Sequence, residues 1–303
     1  MAINTLEFAE KLTGELDRMI VQKAVTGFMA DNVMQARFVG ARTVLIPDLD
    51  MAGLGDYDRD AGFVQGAVKV SNTSYTMTMD RGRSFQIDRE DNDETGVAGL
   101  AGQVMGEFIR TRVAPEMDAY ILSKLAKLAS DKTHTVTATL PNEAVELLTD
   151  GITKVQACVG YDEPLVAFVN SAVYGALLTT TELNRQLEIS SFRKGEVDTQ
   201  VRSINGVAVL PVPDNRMKSA YTFYDGAAEG QEDGGFAPAT GAKNVGLLVL
   251  PKKAASLVKK AERIRTFAPE QNQAADAFRL DYRIYYDVFV KKSMADAVYA
   301  YLY

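Results

Sequence analysis

Several short stretches of this sequence carry side chains that could do chemistry. The run Asp56-Tyr57-Asp58-Arg59-Asp60 sets acids at alternate positions, as at the opening of a calcium-binding loop. That loop needs a glycine at its sixth position and a bidentate glutamate at its twelfth. Ala61 and Ala67 stand there instead, so the stretch reads as a solvated or partner-facing loop. His134 is the only histidine, and any triad or multi-histidine metal site would have to be built around it alone. It sits in a polar run, 130–139, and no nucleophile elbow occurs in the chain, so a loop or surface histidine is expected. Cys158, the only cysteine, rules out an internal disulfide and falls on a predicted amphipathic helix, where it reads as a small core residue.

Residues 235–243, GFAPATGAK, have the look of a phosphate loop. Their glycine spacing is one residue too long and the lysine does not follow the second glycine, so the backbone cradle would be misplaced. The whole glycine-rich stretch 226–241 reads as a mobile loop. A last constellation is Arg81 and Arg83 with the acids Asp88, Glu90, Asp91, Asp93 and Glu94. Exposed single pairs contribute only about 0–1 kcal/mol, but a network between subunits can set orientation. The same charges could equally pair within one chain, or the acids could simply open a helix. No catalytic, cofactor-binding or metal-binding set is assigned.

These stretches must be held by a chain of 303 residues, enough for one large or two modest domains. With 47% hydrophobic and 24% charged residues the chain belongs to the soluble globular class and should fold. A net charge of −7 and a pI near 5.0 argue against tight binding of nucleic acid along its surface. No apolar run reaches the length of a membrane span and residues 1–11 do not open like a signal peptide, so synthesis in the cytoplasm and no membrane partner are expected.

The pattern predicts short amphipathic helices over the first thirty residues, then strands at 40–48, 67–70, 75–79 and 84–88 with a turn at Asp80-Arg81-Gly82. Together 40–88 reads as a long antiparallel excursion with little of its own to pack against. An isolated ribbon is marginal in water, so this one is expected to find its burial on another molecule. Apolar spacing predicts one helix over 95–130, kinked where Pro115 removes the bond to the Thr111 carbonyl. An α+β layer follows, with helices capped by Asn142 and by Asn170 or Ser171, strands at 165–169 and 245–250, and a hairpin turn at Asn205-Gly206. A helix is predicted over 252–265. The strand 278–290 alternates without a break, turns near 293–296 and returns through 297–303.

This order, and the stretches GARTVLIP, GLGDYDRDAGF, DRGRSFQIDREDNDE and EFIRTRVAPEMDAY, resemble the coat proteins of tailed phages and prophages with the Hong Kong-type capsid fold. The resemblance covers nearly the whole chain and is most specific over 42–120. It implies an α+β capsid fold divided into an N-terminal arm (1–39), an extended loop (40–88), a peripheral domain with a spine helix and long strands (89–140 and 266–303), and an axial domain (141–265).

The resemblance further implies a major capsid protein that assembles through hexamers and pentamers into an icosahedral shell around double-stranded DNA, built in the host cytoplasm. Its implied partners are other copies of itself, a separate scaffolding protein, a portal protein and a decoration protein. Gly53, Gly55 and Gly62 would let the extended loop change path, Tyr57 and Phe63 would be its buried anchors, and the charges at 81–94 would contact neighbouring subunits. An encapsulin-like nanocompartment shell is the nearest alternative. An Asp/Glu-dependent hydrolase is a distant one, because paired carboxylates in a pocket are not apparent.

Overall fold

The computed structural model describes residues 24–32, 37–60, 62–89, 100–137, 144–179, 188–194, 197–204 and 206–303. The predicted arm helices before residue 24, the start of the long helix at 95–99 and the Asn142 cap lie outside the described residues. A 3-10 turn, Gly27–Asp31, precedes β1 (Arg37–Val39), β2 (Thr43–Met51), β3 (Val68–Thr76) and β4 (Met79–Asp88). Helix α1 (Leu100–Phe108), a π-helical turn (Ile109–Val113) and α2 (Ala114–Asp131) follow, then β5 (Thr135–Thr137), α3 (Ala144–Val159), β6 (Leu165–Val169) and α4 (Ser171–Thr179). Next come β7 (Glu188–Lys194), β8 (Val197–Ile204), β9 (Val207–Pro211), β10 (Tyr221–Phe223), β11 (Phe236–Pro238) and β12 (Val245–Pro251). The chain ends in β13 (Ala255–Phe267), β14 (Ala277–Val290) and β15 (Tyr299–Leu302).

One layer is a seven-stranded sheet in the order β5-β15-β12-β6-β9-β8-β7. Its interior strands β12 and β6 are buried at every position, because both faces are covered. Side chains alternate across a strand, so Leu248 and Leu250 meet the core that contains Ile121, Leu122 and Leu125 of α2. Leu247 and Val249 meet Leu148, Ile152 and Val155 of α3 on the other side. Asn170 caps α4 as expected, its side-chain carbonyl accepting from the Val173 N–H at 2.9 Å. Gly206 takes φ +77° at the β8–β9 hairpin, the left-handed turn its sequence announced.

The other layer is a three-stranded sheet, β13-β14-β4, against which the long helix packs. The predicted helix is interrupted near Pro115, where a π-helical turn, Ile109–Val113, ends two residues before the proline and the Thr111 hydroxyl donates to the Glu107 carbonyl at 2.7 Å.

Two expectations are corrected in this layer. Residues 252–265 are not a helix; Ala255–Phe267 is a strand paired along β14. The ladder slips by one residue between Lys259 and Ala261, which reverses the parity of inward positions. Leu257 and Ile264 therefore share one core while Val258 and Ala261 share another, and a bulged strand acquires helix-like spacing. Nor do Asp80-Arg81-Gly82 form a turn; they run straight within β4, opposite Tyr285, Ile284 and Arg283.

Gly82 sits where a Cβ would come within 2.8 Å of the Tyr282 carbonyl oxygen. Gly82→Ala must push β4 away from β14, and we expect a net loss of about 1–2 kcal/mol, the overpacking cost exceeding the smaller gain from a stiffer unfolded chain. A urea midpoint equal to that of the wild type would contradict this close approach.

Candidate assembly surface

Strands β2 and β3 form a hairpin paired from Thr43 opposite Thr76 to Met51 opposite Val68. Eight residue steps at about 3.3 Å carry its ladder roughly 26 Å from its base. Along it Leu49, Met51, Leu54, Tyr57, Phe63, Val64, Val68 and Val70 are all exposed, Phe63 at 87%. Patches of this kind mark contact surfaces in folded proteins. At the tip, Asp58 and Gly62 exchange backbone hydrogen bonds of 3.2 and 2.8 Å, and Gly62 takes φ +80°. The rings of Tyr57 and Phe63 lie 4.9 Å apart. Asp58 spends a carboxylate oxygen on the Asp60 N–H at 2.7 Å, as a loop acid does. Gly53 and Gly55 belong to this same tip, and a Cβ on Gly53 would meet nothing within 4 Å.

The base of the hairpin is clamped. Val44 and Met77 pack with Val258, Tyr285 and Phe289 on one face of the β13-β14 sheet. The Lys260 ammonium donates to the carbonyls of Gly40 and Ala41 at 2.7 and 2.6 Å. Asp287 is fully buried; it accepts from the Thr78 N–H at 3.0 Å and the Tyr120 hydroxyl at 2.8 Å, and pairs with Lys124. Burial raises the Tyr120 pKa above its ordinary value, so its hydroxyl remains a donor. Asp287 lies on the face of β14 that carries Arg279, Asp281 and Arg283, and the hairpin base covers that end of the strand.

Arg81 and Arg83 project from the opposite face of β4. Arg81 Nε donates to Glu116 Oε1 of α2 at 2.7 Å, and its Nη1 donates to the Tyr224 carbonyl at 2.7 Å. Arg83 Nη1 donates to the Glu232 carbonyl at 2.9 Å. The stretch 226–241, expected to be a mobile loop, is thus tied down, and Phe236–Pro238 within it is strand β11, paired with β10. Asp225 holds its turn by accepting from the Ala228 and Ala227 N–H groups, which keep its carboxyl below the usual range. Asp88 ends β4 opposite Ala277, seven residues from Arg81 and roughly 23 Å away along the strand. Glu90, Asp91, Asp93 and Glu94 lie outside the described residues.

Two other residues depart from or extend the expected picture. Cys158 is exposed rather than in the core: the last turn of α3 lies beside the 3-10 turn Lys292–Ala297, with Sγ 3.5 Å from the Asp296 carbonyl. Asp118 was not singled out, yet it is fully buried on α2. It accepts from the Val25 and Thr26 N–H groups at 3.0 Å each, from the Thr26 hydroxyl at 2.7 Å and from Arg216 at 3.0 Å. An acid on the same apolar helix face as Ala114, Ile121 and Leu122 was the available signal.

No family model matches this sequence and no curated protein matches it. Solved structures do. A chain from Gordonia phage Cozz aligns with a TM-score of 0.59 at 13% identity, over 90% of this chain and 85% of its own. The asymmetric unit of the bacteriophage PhiM1 mature capsid gives 0.54 at 15% identity, over 86% and 82%. A virus-like particle from Pyrococcus furiosus gives 0.54 at 9% identity, over 97% and 99%. With a clamped hairpin projecting from a helix-backed sheet beside a larger α+β layer, this chain has the fold of a phage capsid protein.

Proposed function

We propose that this chain is the subunit of a closed shell, built by head-to-tail contacts between copies. The observation that carries the reading is the hairpin. It exposes eight large apolar side chains and holds them away from the chain's own core, which a solitary protein would not retain. A patch on one copy that meets a different patch on the next generates rings, and rings joined at their edges close a shell. In the fuller form of this reading the rings are hexamers and pentamers of an icosahedral capsid, the contents are double-stranded DNA, and scaffolding, portal and decoration proteins assist. In this reading the spine helix and the β13-β14-β4 sheet are its peripheral part and the seven-stranded layer its axial part, so that β4 leaves the extended loop (40–88), β13 leaves the axial range (141–265) and β15 leaves the peripheral range (266–303) that the resemblance implies.

The likeness to the Pyrococcus furiosus virus-like particle spans 97% of this chain and supports a second reading, a shell with other cargo. Gradient sedimentation of particles from the native source, followed by analysis of what they enclose, separates the two. Nuclease-protected DNA in particles bearing a portal supports the capsid; an enclosed enzyme without DNA supports the compartment. A chain that sediments as a monomer under every condition contradicts both.

Arg83 is exposed and bonds only a loop carbonyl among the described partners. Arg83→Glu is expected to leave the denaturation midpoint within a few degrees of wild type and to lower particle yield. Unchanged yield would remove Arg83 from the assembly surface.

A further inference from the structure

The face of the β13-β14-β4 sheet turned away from the long helix carries an open groove of about 600 Å³. Arg42, Lys260, Arg263, Arg265 and Arg283 line it, with Asp80 and Asp281 as its acids. On a chain of net charge −7 this local excess of positive charge runs against the overall balance. Both acids are already engaged. Asp80 accepts from Arg283 at 2.8 and 2.6 Å, and Asp281 accepts from Arg279 at 2.8 Å and from the Ser84 hydroxyl at 2.6 Å. Lys260 is held by the carbonyls of Gly40 and Ala41. Arg42, Arg263 and Arg265 are exposed, and their guanidiniums make no hydrogen bond or close ion pair with a described residue. The register crowds these charges further. Arg263 stands directly opposite Arg283 and Arg265 follows two residues along the same face, so like charges adjoin across the ladder and along it. Like charges directly opposite one another destabilise a sheet, and this chain carries them unanswered.

We infer that this groove binds a run of phosphates, the backbone of one nucleic-acid strand or a chain of inorganic polyphosphate. A single carboxylate answers a single guanidinium, as Asp80 answers Arg283. Guanidiniums set side by side across a ladder, and roughly 7 Å apart along a strand, instead match an anion whose charge repeats at short spacing. Phosphates on one nucleic-acid strand recur about every 3.4 Å of helix axis. The planar fork of arginine donates to phosphate oxygens in pairs, and the three unanswered cations here are all arginines. The volume falls among small-ligand pockets, roughly 300–1,000 Å³, and so admits one backbone and not a duplex. The acidic balance of the whole chain repels the same ligand. Binding should therefore be tight only at low ionic strength and fall steeply with salt. The inference concerns the single chain and holds or fails whether or not shells form.

Fluorescence anisotropy of a labelled oligothymidylate titrated with the full chain tests the site. With Arg42, Arg263, Arg265 and Arg283 engaged, the logarithm of the association constant should fall against the logarithm of salt concentration with a slope of about −3. Arg263→Gln with Arg265→Gln should weaken binding at least tenfold at low salt and bring the slope to about −1.4. Lys243→Gln with Lys253→Gln removes the same charge from exposed positions outside the groove and should change affinity less than twofold. The urea midpoint of the arginine variant should equal or exceed that of the wild type, because a repulsion is relieved, so a loss of binding cannot be a loss of fold. Inorganic polyphosphate should displace the oligonucleotide, while poly-aspartate should need at least tenfold more charge to do so. Whichever of polyphosphate and oligonucleotide binds more tightly identifies the source of the phosphates. No binding at low salt, or equal losses from the arginine and lysine pairs, would overturn the site. Displacement by poly-aspartate as readily as by polyphosphate would overturn its assignment to phosphate.

Discussion

Replacement of residues 53–66 by Asn-Gly is expected to leave a folded chain that forms no shells. None of the described side chains removed belongs to the three core clusters, so the monomer keeps its core packing. The ends are already in place: the Ala52 N–H donates to the Ala67 carbonyl at 3.1 Å, and Asn-Gly supplies the positive φ angles a tight hairpin turn requires. What disappears is Leu54, Tyr57, Phe63 and Val64, all exposed in the single chain. Burial of four such side chains on a neighbour is worth roughly 6–12 kcal/mol before the costs of association. If only a third of that survives those costs, each contact weakens by about 30-fold or more, and a shell multiplies the loss over every subunit. Circular dichroism and urea denaturation should match wild type while electron micrographs show no particles. Shells of normal size from this variant would mean that the hairpin is not an assembly element.

The second large effect is on folding. Asp118→Ala should destabilise the chain by about 3–5 kcal/mol, because it strands a largely buried guanidinium and two backbone donors, that of Thr26 fully buried. The side chain of Arg216 is 19% exposed. Asp287→Ala should cost less, although Asp287 is equally buried, because its partner Lys124 is 37% exposed and can turn its ammonium to solvent. Paired urea titrations would show the difference in midpoint. A loss for Asp118→Ala no larger than that for Asp287→Ala would mean that the 25–26 segment does not depend on this carboxylate.

Much of the scaffold was legible in residue patterns. The unbroken alternation of β14, the continuous apolar run of β12 and the Asn-Gly turn are local signals, and each element formed where its signal lay. The projecting hairpin was legible as an excursion without a core, though β4, read as part of it, instead pairs with β14. The helix predicted over 252–265 failed because a single bulged residue in β13 turned a period of two into an apparent three-and-four spacing. Partners across the fold were the least legible. Arg81 reaches Glu116 thirty-five residues away, and Asp287 meets Thr78 two hundred and nine residues away, distances no local pattern encodes. Arg263 and Arg283 likewise become neighbours only through the β13–β14 register.

Whether copies of this chain build a closed shell through the projecting hairpin can be seen by cryo-electron microscopy of the expressed protein, with and without the genes that neighbour it. Closed particles are expected, in which the 43–76 hairpin of each subunit lies over an adjacent copy. Monomers or compact closed dimers throughout, or shells whose hairpins touch no neighbour, would contradict it.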